Sequence, residues 1–201
     1  MNRSLELEKI RAPLATPIAE ITPEIVHLPQ MVANLLPESR DRFQRLFHVS
    51  ETIGRLTAPE SMHAWIKGYF GSVDVVTAQH IVKVTNRVTL DGALFNELRA
   101  RRPVEARLPS DLVHDARTKT GDPFCHPETG TPDDVFPRVS GKYCITASNI
   151  AKYDGFHGLI IFREHDPLSF DEEHVVDYVS TARAWAEEAM ACDPRARYFF
   201  F

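Results

Sequence analysis

Apolar and polar positions change their period along this chain, and each change marks an element. From Pro37 to Leu56 the segment PESRDRFQRLFHVSETIGRL places Phe43, Leu46, Phe47 and Ile53 on one side of a helix. Thr57 and Glu60 then have capping-box spacing, and Met62, Trp65, Ile66, Tyr69 and Phe70 follow at helical intervals before Gly71. This predicts a short helix whose aromatic stripe packs into the core. Near His80 the period shortens. HIVKVTNRVTL is rich in β-branched residues and Asp91-Gly92 separates it from ALFNEL, which predicts an antiparallel hairpin over 80–98 turning at Asp91-Gly92. After a polar, proline-bearing stretch to about residue 140, KYCITAS (142–148) and HGLIIF (157–162) read as strands, with AKYDGF as a loop between them. The unbroken apolar run LIIF predicts a central strand buried on both faces. Ser169 and Glu172 have capping-box spacing, and Val175, Val179, Ala182, Ala186 and Ala189 continue as a helix until Pro194.

Helices followed by a sheet predict an α+β fold. Five of the fourteen prolines lie in residues 1–37, which read as an extended arm; 38–79 read as a helical segment and 80–201 as the α+β domain. At 201 residues the chain suits one domain with an appendage, and 43% hydrophobic and 25% charged residues exclude collagen-like and wholly disordered classes. A net charge of -5 disfavours a nucleic-acid partner. Three cysteines, 125, 144 and 192, are an odd number at wide spacing, which predicts a reducing, cytoplasmic setting. No apolar run approaches the length of a membrane span, so no membrane partner is expected. The final residues, Tyr198 to Phe201, read as an apolar strand whose open edge predicts self-association.

Candidate chemistry is sparse. Arg99, Arg101 and Arg102 form a basic cluster, suited either to phosphate oxygens or to a solvated loop. Asn149 suits either a ribose or phosphate contact or a turn at a strand end. The nine histidines are scattered, without a His-x-His sequence or the spacing of a nucleophile triad. Asp122, Cys125, His126 and His165 offer the side chains of a small metal-dependent hydrolase, although their spacing is poor for a ligand set. Adjacent residues such as Cys125 and His126 seldom point to one place.

The order of Arg99-Ala100-Arg101-Arg102-Pro103, Asp122-Pro123-Phe124-Cys125, Thr146-Ala147-Ser148-Asn149 and His157-Gly158-Leu159-Ile160-Ile161-Phe162 resembles the galactose-1-phosphate uridylyltransferase branch of the histidine-triad (HIT-like) superfamily. The resemblance covers about residues 82–201. It implies a HIT-like antiparallel sheet with packed helices that binds a nucleotide or nucleotide-sugar, attacked at its α-phosphorus by a histidine to give a nucleotidyl-histidine. By resemblance, Arg99 and Arg102 fall near the phosphates and Asn149 beside the nucleotide. Cys125 and His165 match two zinc ligands, with Asp122 in place of the family's first cysteine. The family's His-x-His follows its counterpart of RYFFF, where this sequence ends. The resemblance therefore implies a nucleotide-binding chain, incomplete at its C-terminus, with no catalytic residue of its own. The alternatives are a noncatalytic module that binds a nucleotide or a partner chain through its last strand, and the metal-dependent hydrolase.

Overall fold

Residues 47–55 depart from the helix that their apolar spacing suggests. In the computed structural model, which describes residues 24–101, 121–166, 168–197 and 199, helix α2 (Pro37–Leu46) ends at Leu46 and strand β1 (Phe47–Arg55) begins at once. Val49, Thr52 and Ile53 are β-branched, and nine consecutive antiparallel pairings to β2 (Ala78–Asn86), from Phe47↔Asn86 to Arg55↔Ala78, override the helical pattern. The segment expected to be helical over 38–79 thus supplies an edge of the first sheet. The region expected to be an extended arm also contains α1 (Leu28–Ala33), which tolerates Pro29 in its first turn, where a missing N–H costs no helical bond. The rest of that arm, residues 1–23, lies outside the described residues.

The predicted hairpin forms, but with a different turn. β3 (Gly92–Phe95) pairs with β2 from Thr85↔Gly92 to Val82↔Phe95, so Gly92 is inside the ladder. Asn86 organises the connection: its Oδ1 accepts from Val88 N (2.9 Å) and Thr89 N (3.3 Å), and its own N donates to Asp91 O (2.8 Å). Leu90, at φ 64°, takes the left-handed position expected of Asp91-Gly92. Local side-chain hydrogen bonds from Asn86 outcompete the dipeptide rule.

The Thr57–Glu60 capping box does not form. Thr57 N and O instead bridge Asp133 O and N, 2.9 and 2.8 Å apart, and α3 (His63–Phe70) starts later. Its stripe divides: Ile66 and Phe70 are buried, whereas Trp65 and Tyr69 are largely exposed. Gly71, at φ 89°, caps it as expected. Ile66 and Phe70 pack with Leu56, Leu98, Ala151 and Val76, the last on the short α4 (Asp74–Thr77).

A second sheet holds β4 (Cys144–Ser148) antiparallel to β5 (Gly158–Phe162). Among the described residues β5 pairs with β4 alone, rather than holding the central place its apolar run predicts; Ile161 is buried and Ile160 half-buried. Helix α7 (Glu172–Cys192), which follows α5 (Glu97–Arg101) and α6 (Pro127–Gly130) among the described residues, packs on this sheet. Its capping box is Asp171 with His174, two residues after the expected Ser169 and Glu172. Ala182, Ala186 and Ala189 bury their side of the predicted stripe, but Val175 and Val179 stay exposed. Antiparallel sheets and helices together make this an α+β protein. Among the described residues no helix is long and apolar enough to cross a membrane. Tyr198, Phe200 and Phe201, the core of the expected self-associating strand, lie outside the described residues.

Candidate functional site

Two buried amides fasten the loop at 149–157 to the first sheet. Gln79 Nε2 donates to Ile150 O (2.8 Å) and Val76 O (2.9 Å), while its Oε1 accepts from Lys152 N (3.0 Å) and Asn96 Nδ2 (2.8 Å). Asn96 Nδ2 also donates to Lys152 O (2.8 Å), and Asn96 Oδ1 receives Leu98 N (3.0 Å) at the start of α5. One polar cluster therefore fixes both the loop and the helix that carries Arg99.

Arg99 lies against that loop. Its Nη1 donates to Ala151 O (2.9 Å), its Nη2 to the Tyr153 hydroxyl (2.6 Å), and its guanidinium lies 3.6 Å from the centre of the Tyr153 ring. Among the described residues no carboxylate pairs with it. A carbonyl and a phenol orient the cation without neutralising it. His157 sits at the far end of the loop. Its Nδ1 accepts from Tyr153 N (3.2 Å), which leaves the ring proton on Nε2, and its carbonyl accepts from Asn149 N (2.8 Å). Burial, then the positive charges of Lys152 and Arg99, hold the His157 imidazole below its ordinary pKa. Asn149 Oδ1 accepts from Ala151 N (3.1 Å), so its carbonyl oxygen serves the turn that the sequence offered as its alternative role. Arg99 and Asn149 are brought to one loop; Arg102 lies outside the described residues.

The residues matched to zinc ligands come together only in part. Cys125 Sγ is 3.2 Å from His165 Nε2, across forty positions of sequence. They border a cavity of about 310 Å³ on the face of the second sheet that carries Ile145 and Ile161. Asp122 instead closes its own turn, its Oδ1 accepting from Phe124 N (2.7 Å) and Cys125 N (3.3 Å). His126, needed for the hydrolase alternative, does not line the cavity. Among the described residues no three metal-ligating side chains converge, and two donors do not build tetrahedral zinc.

Sequence reasoning missed a buried ion pair directly beneath the loop. Lys152 is wholly buried; its Nζ donates to Asp134 Oδ1 (3.1 Å) and Ser148 Oγ (2.6 Å). Burial lowers its pKa and the Asp134 carboxylate opposes that shift. Asp134 also accepts from Ser148 Oγ (2.8 Å) and Trp185 Nε1 (2.7 Å). Nothing in a Lys-Tyr-Asp-Gly loop signals burial, because the enclosing residues come from distant elements.

Comparison with protein-family models, with curated proteins and with solved structures returns no match.

Proposed function

We propose that this chain binds a nucleotide or nucleotide-sugar through its phosphates, using Arg99 and Arg102 as phosphate contacts and Asn149 at the ribose or phosphate, on a HIT-like α+β scaffold. The reading rests on one observation: Arg99 is held in place by uncharged partners and keeps an uncompensated positive charge beside the Asn149 loop. Burial lowers the His157 pKa most, and Lys152 and Arg99 add to that shift against the opposing Asp134 carboxylate, so the charge of Arg99 is felt along the Asn149 loop. Binding through these residues is the activity assigned.

Calorimetric titration with uridine diphosphate tests the proposal. A charge-assisted phosphate contact contributes about 1.5–3 kcal/mol, so Arg99→Ala and Arg102→Ala should each weaken binding roughly tenfold or more. Arg102→Ala guards against an indirect loss through the loop that Arg99 braces. Equal affinity in wild type and both variants, or no binding to wild type, would overturn the assignment.

A further inference from the structure

A second, larger concavity of about 900 Å³ lies between β1, residues 154–156 and the segment that follows α7. Its charges can be paired off one by one. Glu51 Oε2 meets His80 Nε2 at 3.1 Å, Asp154 pairs with Lys83 Nζ, and Asp193 accepts from Arg195 Nη2 at 2.7 Å. Each carboxylate on the wall thus has a cationic or imidazole partner. Arg55 and Arg197 remain, and among the described residues neither has a carboxylate partner; Arg197 Nε reaches only Pro194 O at 3.4 Å. A chain of net charge -5 therefore presents a groove in which, among the described residues, two guanidiniums are left without a carboxylate partner.

The rest of the wall is apolar and firmly backed. Phe199 stands edge-on to Trp185 at 5.6 Å, Phe156 packs 6.1 Å from Phe136, and Phe136 packs 5.9 Å from Trp185. Phe136 and Trp185 belong to a buried cluster, so the two outer rings rest on the core. Ile53, 45% exposed, completes the apolar side.

We infer that this groove is an anion-binding site, separate from the Arg99 site, that takes a small phosphorylated molecule bearing a planar ring. Guanidinium forks match phosphate oxygens, and among the described residues neither Arg55 nor Arg197 is engaged by a carboxylate. A planar ring gains contact with Phe156 and Phe199 that a bare ion cannot make. The volume lies in the range of small-molecule sites. The inference stands on residues that the nucleotide proposal does not use.

The probe is 4-fluorophenyl phosphate, followed by fluorine NMR on the full chain, with inorganic phosphate titrated separately. Wild type should bind the probe saturably, more tightly than inorganic phosphate, and more weakly as salt is raised. Arg55→Gln combined with Arg197→Gln should lower probe affinity roughly tenfold or more, as expected for lost charge-assisted contacts. Arg183→Gln, on the exposed face of α7, should not alter it. Arg55 and Arg197 are exposed, and an unchanged thermal midpoint would verify that the paired variant folds; Arg197→Glu alone gives a second reading in the same direction. Undiminished binding in the paired variant, no saturable binding to wild type, or phosphate binding as tightly as the probe would each overturn the inference.

Discussion

Lys152 shows most clearly how one residue's setting decides its energetics. An unpaired ammonium at full burial is very costly, and Asp134 and Ser148 offset that cost with an ion pair and a hydrogen bond. The two partners are not equivalent. Asp134 without Lys152 keeps two donors, Ser148 Oγ and Trp185 Nε1, whereas Lys152 without Asp134 keeps only the serine hydroxyl among its side-chain partners. Asp134→Ala should therefore destabilise the fold by about 3–5 kcal/mol, and Lys152→Met by clearly less. Adding Lys152→Met to Asp134→Ala should recover part of the loss. Urea denaturation of the three variants measures this, and equal losses for the two single substitutions would contradict it. The pair was illegible in the sequence for a specific reason. Its cavity depends on Gly54 of β1, where an added Cβ would lie 2.8 Å from Lys152 Cδ, and the apolar spacing of β1 suggests a helix.

Between elements, glycines set how closely α7 approaches the second sheet. A Cβ at Gly158 would fall 2.7 Å from the Trp185 ring, and one at Gly141 would run into Thr181 Oγ1. Closeness at Gly141 lets Asp177 accept from Lys142 N (3.0 Å) and Tyr143 N (2.8 Å), bonds that hold its carboxyl below the usual carboxylate range. Gly158→Ala should push the indole away from Asp134 and cost about 1–3 kcal/mol, seen as a lower thermal midpoint with altered tryptophan fluorescence. An unchanged midpoint and spectrum would show that Trp185 has room to give. Elements whose pattern is set locally were legible: β4, β5, α7 and the Gly71 cap follow from periodicity and turn residues. β1 was not, because its stability comes from pairing with β2, about thirty residues later in the chain. The exposed Val175 and Val179 mark another limit, since helical spacing identifies a stripe without showing where its partner surface ends.

Across the whole molecule, the candidate site joins two sheets through one loop, and only its individual residues were legible. Sequence order pointed to Arg99 and Asn149, but the Gln79–Asn96 clamp that presents their loop spans three distant segments and leaves no local signature. His157 sits at that junction and gives it a pH dependence. Its folded pKa is lowered, mainly by burial, from an unfolded value of about 6.5, so in the interval below that value the unfolded chain binds more protons than the folded one. Its contribution to stability is fully present above about pH 6.5 and is lost as pH falls through the lowered folded value. The shifted carboxylates act elsewhere on the scale. Asp171, Glu173 and Asp177 are lowered by hydrogen bonds, and Asp193 is held at about 2 by Arg195, so all lose their contributions only below the ordinary carboxylate range near pH 4. Urea midpoints at about pH 7.5 and about pH 5.5 bracket the imidazole range and stay above that of these carboxylates. Wild type should lose more stability between them than His157→Gln, which removes the titrating group while keeping a polar side chain of similar reach. If the two proteins show the same slope, His157 is not the group that ties the loop's stability to pH.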